Sequence, residues 1–232
     1  MGSKDKYAKY LLPYILQERT KNQWYVEPFA GGCNMIDKVD GNRIANDANH
    51  YVIALFNHLQ WGGILPEYTT KEQYKHVLDN KDMYPSWMVG YVGICCSYSG
   101  KWFGGFAGKT VTRNGIRNYQ EEANRNLLKQ AIKIKDIIFK SQEYFDLKIP
   151  ENSVIYCDPP YEGTTKYFTS FNHGFFWDWC RQQNKNGHKV FVSEYNAPPD
   201  FKLLLSIEAK SSLSANGVIG GSKKSIEKLF TI

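Results

Sequence analysis

Val154-Ile155-Tyr156-Cys157-Asp158-Pro159-Pro160-Tyr161 is the stretch on which the reading of this chain turns. Four apolar or aromatic residues in succession suit a short strand covered on both faces, as in a parallel sheet. Asp158 and the two prolines end it. Proline fixes φ and brings no amide donor, so the turn holds a carboxylate and a carbonyl side by side at the strand's carboxyl edge. The Tyr161 ring lies just beyond. Two acceptors beside an aromatic face make a receptor for an exocyclic amino group on a flat ring: the acceptors take the two N–H groups and Tyr161 stacks on the ring. The plainer alternative is a rigid turn whose aspartate caps a nearby amide.

On either side of it the sequence alternates strands and helices. Trp24-Tyr25-Val26 reads as a buried strand running into Glu27-Pro28-Phe29-Ala30-Gly31-Gly32. Arg43-Ile44-Ala45-Asn46 reads as a second strand, followed by a helix through Tyr51–Phe56. Tyr7, Tyr10, Leu11, Tyr14 and Ile15 recur at helical spacing within 5–19, with Pro13 as a kink or boundary. Further strands are expected at Ile137–Phe139 and Lys189–Ser193, with a helix over 173–185 before the latter. This pattern predicts an α/β fold with a mostly parallel sheet. Residues 61–118 lack the alternation, and a helix over 119–135 restores regular structure. The expected organisation is therefore a core of 1–60 and 136–232 carrying an insertion over 61–135. A Gly-rich loop (Asn216 to Gly221) and the run Ile226–Phe230, read as one arm of a hairpin, close the chain.

Glu27–Gly32 is the second string of interest. Glycines after a strand permit a tight turn and close approach of backbone to a ligand. Asp47 follows Gly31 by 16 residues, near the offset of about 20 at which an acidic residue grips ribose hydroxyls in dinucleotide folds. Neither G-x-G-x-x-G nor G-x-x-x-x-G-K-[ST] is present, so a nucleoside suits the site better than a cradled pyrophosphate. A plain glycine turn is an equal alternative.

Composition sets the outer limits. The 232 residues are 42% hydrophobic and 22% charged, an ordinary folded composition. No apolar run approaches the roughly 20 residues of a membrane span, so no membrane partner is expected, and the first residues do not form a signal peptide. Five cysteines without paired C-x-x-C spacing point to a reducing, cytoplasmic setting and to no metal site. The five histidines show no ligand pairing, no G-x-S-x-G elbow occurs, and no Pro-Cys dipeptide is present for a covalent thiolate attack on cytosine C5. The net charge of +6 is localised: between Ser97 and Lys135 stand eight Lys/Arg against two Glu, and the rest of the chain balances. Lys101, Lys109, Arg113 and Arg117 lie there among Gly and aromatic residues. The window reads as a phosphate-tracking patch or as a solvated helix face with a basic loop.

Taken together, Glu27–Gly32, a long insertion, and then Asp158-Pro159-Pro160-Tyr161 resemble the Dam-like DNA adenine N6-methyltransferases of the alpha arrangement, over essentially the whole chain. The order cofactor motif, target-recognition insertion, catalytic motif is the same. The resemblance implies a Rossmann-like S-adenosylmethionine-dependent methyltransferase core with a mainly helical insertion. It also implies S-adenosyl-L-methionine as cofactor, S-adenosyl-L-homocysteine as product, and methylation of N6 on an adenine extruded from double-stranded DNA. Asp158, Pro159, Pro160 and Tyr161 would form the catalytic motif. Gly2-Ser3-Lys4, with Lys4 and Tyr7, is similar to the family's Gly-Gly-Lys cofactor element. Glu27, Phe29, Ala30, Gly31, Gly32, Asp47, Glu143, Tyr144 and Asp158 complete the implied cofactor set. Ser214–Gly217 with Lys223, Lys224 and Glu227 resembles the closing basic segment, so Lys223 and Lys224 join the expected DNA contacts. Gly100–Phe106 departs from the family's usual recognition pattern, so no recognition sequence carries over. The same Asp-Pro-Pro-Tyr arrangement also serves cytosine N4, or adenine in RNA, and a silent DNA-binding relative would retain the fold. The resemblance leaves room for a cognate restriction endonuclease as partner.

Overall fold

A computed structural model of the chain describes residues 4–112, 115–162, 171–210 and 224–232. The helices are α1 (Asp5–Leu16), α2 (His50–Gln60), α3 (Lys71–Asp79), α4 (Ser86–Cys95), α5 (Tyr119–Ala131) and α6 (His173–Lys185). The strands are β1 (Tyr25–Glu27), β2 (Arg43–Asn46), β3 (Lys109–Thr112), β4 (Gly115–Asn118), β5 (Ile137–Lys140), β6 (Val154–Cys157), β7 (Lys189–Ser193), β8 (Lys202–Lys210) and β9 (Lys224–Thr231). Seven of them form one sheet in the order β5-β2-β1-β6-β7-β9-β8. The first five in that order are parallel, and β9 runs antiparallel between β7 and β8. The expected α/β class with a mostly parallel sheet is the observed one.

The two faces of this sheet follow from side-chain alternation. On one face Tyr25, Val154 and Tyr156 pack against Leu11 and Ile15 of α1 and Leu55 of α2. On the other, Val26, Ile155, Cys157 and Val190 pack against Phe176 and Cys180 of α6. Helices cover both sides, so every position of β1, β2 and β6 is buried, and continuous apolar strands are the result. Pro13 lies inside α1, which runs on through it to Leu16.

Residues 61–136 add no strand to this sheet. They hold α3, α4, the exposed β3–β4 hairpin and α5. α4 is apolar nearly all round and is buried at Val89, Tyr91 and Val92. Gly90 lets it cross α2 closely: a Cβ there would sit 2.0 Å from the Tyr51 carbonyl oxygen. The insertion is thus helical as expected, but it also carries a hairpin that the sequence reading did not place. No helix among the described residues is long and apolar enough to cross a membrane.

Candidate active site

The sheet builds outward from β1 through β2 to β5, then returns to lay β6 on the other side of β1 and continues to β7. At such a switch point the loops after adjacent strands part and leave a crevice at their carboxyl ends. The Glu27–Gly32 loop leaves β1 there, Asn46-Asp47 leaves β2, and Asp158–Tyr161 leaves β6.

Asn46 ties three of these loops together. Its buried amide donates to the Pro28 carbonyl at 3.0 Å and the Gln142 carbonyl at 2.9 Å, and its oxygen accepts from the Gln142 amide at 3.2 Å. Its backbone carbonyl accepts from the Ala30 amide at 2.8 Å. Asp47 then receives the Gly31 and Asn49 amides, each at 2.9 Å. Burial holds the Asp47 carboxyl above the usual carboxylate range, with the two amides opposing and the nearby Glu143 charge adding to the rise. Gly31 turns at φ +48° and Cys33 at φ +55°, a region costly for any residue but glycine. Gln130 of α5 fixes that turn, donating to the Gly32 carbonyl at 3.0 Å and the Cys33 carbonyl at 3.1 Å. Phe29 is half-buried, its ring 5.0 Å from Tyr144 and 5.7 Å from Phe176. Glu143 is exposed, one residue before Tyr144.

At β6 the picture is ionic. The Lys4 ammonium pairs with Asp158 Oδ1 at 2.9 Å and Glu227 Oε1 at 3.3 Å, and donates to the Tyr161 hydroxyl at 2.8 Å. The Tyr161 hydroxyl in turn donates to Glu227 Oε1 at 2.8 Å. Burial works against the Lys4 charge, but the two carboxylates outweigh it and raise the Lys4 pKa. Burial, reinforced by the Asp158 and Glu227 charges, pushes the Tyr161 phenol well above its ordinary value, so it remains a donor. Lys4 also lies over the Tyr161 ring, and Tyr195 meets that ring edge-on with centroids 4.7 Å apart. Glu194, after β7, accepts the Glu162 amide at 2.6 Å and the Tyr195 amide. Glu27 is fully buried beside this cluster. It accepts the Tyr25 hydroxyl at 2.9 Å, and burial, with the Asp158 charge contributing, keeps its carboxyl well above the usual range.

Two neighbouring groups of the expected residues therefore assemble: Phe29, Ala30, Gly31, Gly32, Asp47 and Tyr144 on one hand, and Asp158, Tyr161 and Lys4 on the other. Lys4, expected through the cofactor element, reaches the Asp158–Tyr161 turn itself. Tyr7 is buried in the core on α1. On the insertion Lys101 is exposed, Lys109 lies over the Tyr68 ring, and Arg117 is held bidentately by Glu122 at 2.8 Å. Arg113, Lys223 and the Ser214–Gly217 string lie outside the described residues, and Lys224 opens β9. Sequence reasoning did not single out Gln130, and it named Glu227 only within the closing segment, not as a partner of Tyr161. Glu227 carried a further signal: it is a carboxylate in phase with buried Leu229 on the closing strand.

Comparison with known proteins places the chain. It is 26% identical over 214 residues to the type II methyltransferase M.FokI of Planomicrobium okeanokoites, a match covering 79% of this chain and 31% of that protein. The chain thus spans less than a third of that relative's length. Among solved structures, yhhF of Escherichia coli superposes with TM-score 0.37 at 8% identity, over 97% of this chain and 85% of that one. A class I S-adenosylmethionine-dependent methyltransferase fold from Listeria monocytogenes superposes with TM-score 0.41 at 10% identity, over 98% of this chain and 58% of that one. The family model matches residues 1–86 and 87–199, and by that match the chain belongs to the D12 class N6 adenine-specific DNA methyltransferases.

Proposed function

We propose that this chain transfers a methyl group from S-adenosylmethionine to N6 of an adenine taken out of the stack of double-stranded DNA. The observation that carries this reading is the Asp158–Tyr161 turn, its carboxylate and phenol both anchored by Lys4 at the carboxyl edge of β6, beside the glycine loop of β1. The residues around that loop fit the cofactor. Asp47 offers acceptors for ribose hydroxyls, Phe29 and Tyr144 offer aromatic faces for an adenine, and Gly31 and Gly32 present backbone without side chains. When bound there, the cofactor supplies a methyl group on an electron-poor sulfonium.

The chain's own part is positioning and electrostatics. Adenine N6 is a weak nucleophile because its lone pair is delocalised into the ring. The Asp158 carboxylate and the Pro159 carbonyl accept hydrogen bonds from its two N–H groups and favour a more tetrahedral nitrogen with the lone pair directed outward. As the nitrogen gains the methyl group it releases one proton past Asp158, and S-adenosylhomocysteine is left. Pro160 supplies no amide to compete for that carbonyl. Tyr161 stacks on the extruded base and offsets part of the few kcal/mol spent in unstacking it. The division into a core of 1–60 and 136–232 and an insertion of 61–135 gives the DNA contacts a home: Lys101, Lys109 and Arg117 all stand on the insertion.

The test is transfer of labelled methyl groups to unmethylated duplex DNA and to RNA, followed by nucleoside analysis. N6-methyladenine from DNA is the expected product. N4-methylcytosine alone, or label in RNA only, overturns the reading.

A further inference from the structure

β9 buries an acidic side chain between exposed Ile226 and half-buried Lys228. Glu227 is 6% exposed, two residues from fully buried Leu229, and shares that residue's face of the strand. A buried carboxylate is expensive unless it is paired and hydrogen-bonded, and burial holds this one above its ordinary range against the pull of Lys4. Its partners are all in the candidate site: the Tyr161 hydroxyl at 2.8 Å and the Lys4 ammonium at 3.3 Å, itself 2.9 Å from Asp158. Tyr161 reaches it across 66 residues of chain, so the contact is tertiary and not an incident of the turn. A tyrosine ring needs only its flat face to stack; a second anchor at the hydroxyl end fixes the plane of that face.

We propose that Glu227 is a positioning residue for methyl transfer, acting through the Tyr161 hydroxyl to fix the ring against which the extruded base is held. This rests on the reading of Asp158–Tyr161 as the target-base site. The Glu227 hydrogen bond is to the Tyr161 hydroxyl, at the far end of the ring. Glu227 sets the plane of Tyr161 and, by sharing Lys4 with Asp158, ties β9 to the turn after β6. Misplacement of a positioned group by about 1 Å can lower a rate 100-fold, so a small shift of the ring on loss of the Glu227 anchor is enough to slow transfer.

The experiment uses the full chain, labelled S-adenosylmethionine and unmethylated duplex DNA, with kcat, KM for both substrates and thermal unfolding measured for each variant. Glu227→Ala lowers kcat about 10–100-fold while KM for the cofactor stays within about two-fold. Glu227→Gln, the same size and still offering an oxygen to the Tyr161 hydroxyl, loses less than Glu227→Ala and guards against a folding defect. Tyr161→Phe removes the hydroxyl through which Glu227 acts, so adding Glu227→Ala to it lowers kcat by no more than about a further two-fold. An unchanged kcat in Glu227→Ala, a Glu227→Gln loss as large as that of alanine, or losses that multiply in the double variant overturn the inference. If the unaltered chain transfers no methyl group to adenine, the Asp158–Tyr161 reading falls and this one with it. Transfer by the unaltered chain alongside any of those variant results overturns the Glu227 inference alone.

Discussion

Glu27 shows how tightly the residues at the edge of β1 are bound to their surroundings. Its carboxyl is buried, accepts one hydrogen bond from Tyr25, and has a pKa well above the ordinary glutamate value of 4.5. Below that ordinary value, folded and unfolded chains both carry the proton and the group has no effect on the balance. As pH rises the unfolded chain ionises first, whereas the folded chain must keep the proton or bury a charge, so stability declines through the window up to the raised value. Glu27→Gln escapes this: its melting temperature should exceed that of the unaltered chain by a few degrees more at pH 8 than at pH 5. Equal differences at the two pH values would show that Glu27 does not titrate in this way. Asp47 behaves as a hub of the neighbouring loop, and Asp47→Ala should weaken S-adenosylmethionine binding at least ten-fold by calorimetry, through loss of a ribose acceptor and of the anchor for the Gly31 amide. These residues were legible in the sequence because they follow strands whose apolar runs announce them. Glu227 was legible only as a member of the closing segment; its contact with Tyr161 was not, because it depends on the sheet order that sets β9 beside β7.

Among the elements, α5 joins the two halves of the proposed mechanism. It follows β4 directly, and the Asn118 side chain caps its first turn. Near its start Gln120 bonds Thr69 at both its amide and its carbonyl, and also the Ala107 carbonyl; near its end Gln130 holds the Gly32 and Cys33 carbonyls. The hairpin and the glycine loop are therefore attached to one helix. Gln130→Ala leaves two carbonyls of a left-handed turn without that partner, and should lower stability by about 1–3 kcal/mol in urea unfolding and weaken cofactor binding. Unchanged cofactor affinity would mean the turn is held without it. α5 was placed from sequence, as were α2 and α6, and α1 was read from its helical spacing. The hairpin was not: all of β3, and β4 but for half-buried Asn118, is exposed, so neither face carries an apolar period to read. α4 was hidden for the opposite reason, being apolar on every side, and β8 emerges only through its pairing with β9.

Across the whole molecule, charge and topology divide the labour. The sheet and its helices hold the two site clusters at the carboxyl ends of β1, β2 and β6, and the excess of positive charge lies on the insertion. Exposed Val111 and Ile116 stand opposite each other on the hairpin, with Lys109 and Arg117 nearby. Replacing Lys101, Lys109 and Arg117 with glutamine should flatten the salt dependence of DNA binding by about 0.9 in slope for each phosphate that is no longer neutralised, with kcat at saturating DNA little altered. An unchanged slope would place the DNA path elsewhere; Arg117 must exchange Glu122 for phosphate to contribute. Methyl transfer at the turn after β6 is tested by mass spectrometry of nucleosides from unmethylated duplex DNA incubated with S-adenosylmethionine and either the unaltered chain or Asp158→Ala. N6-methyladenine formed by the unaltered chain, and none by an Asp158→Ala chain that still binds DNA, is the predicted result. Equal N6-methyladenine from both chains, or none from the unaltered one, would contradict it.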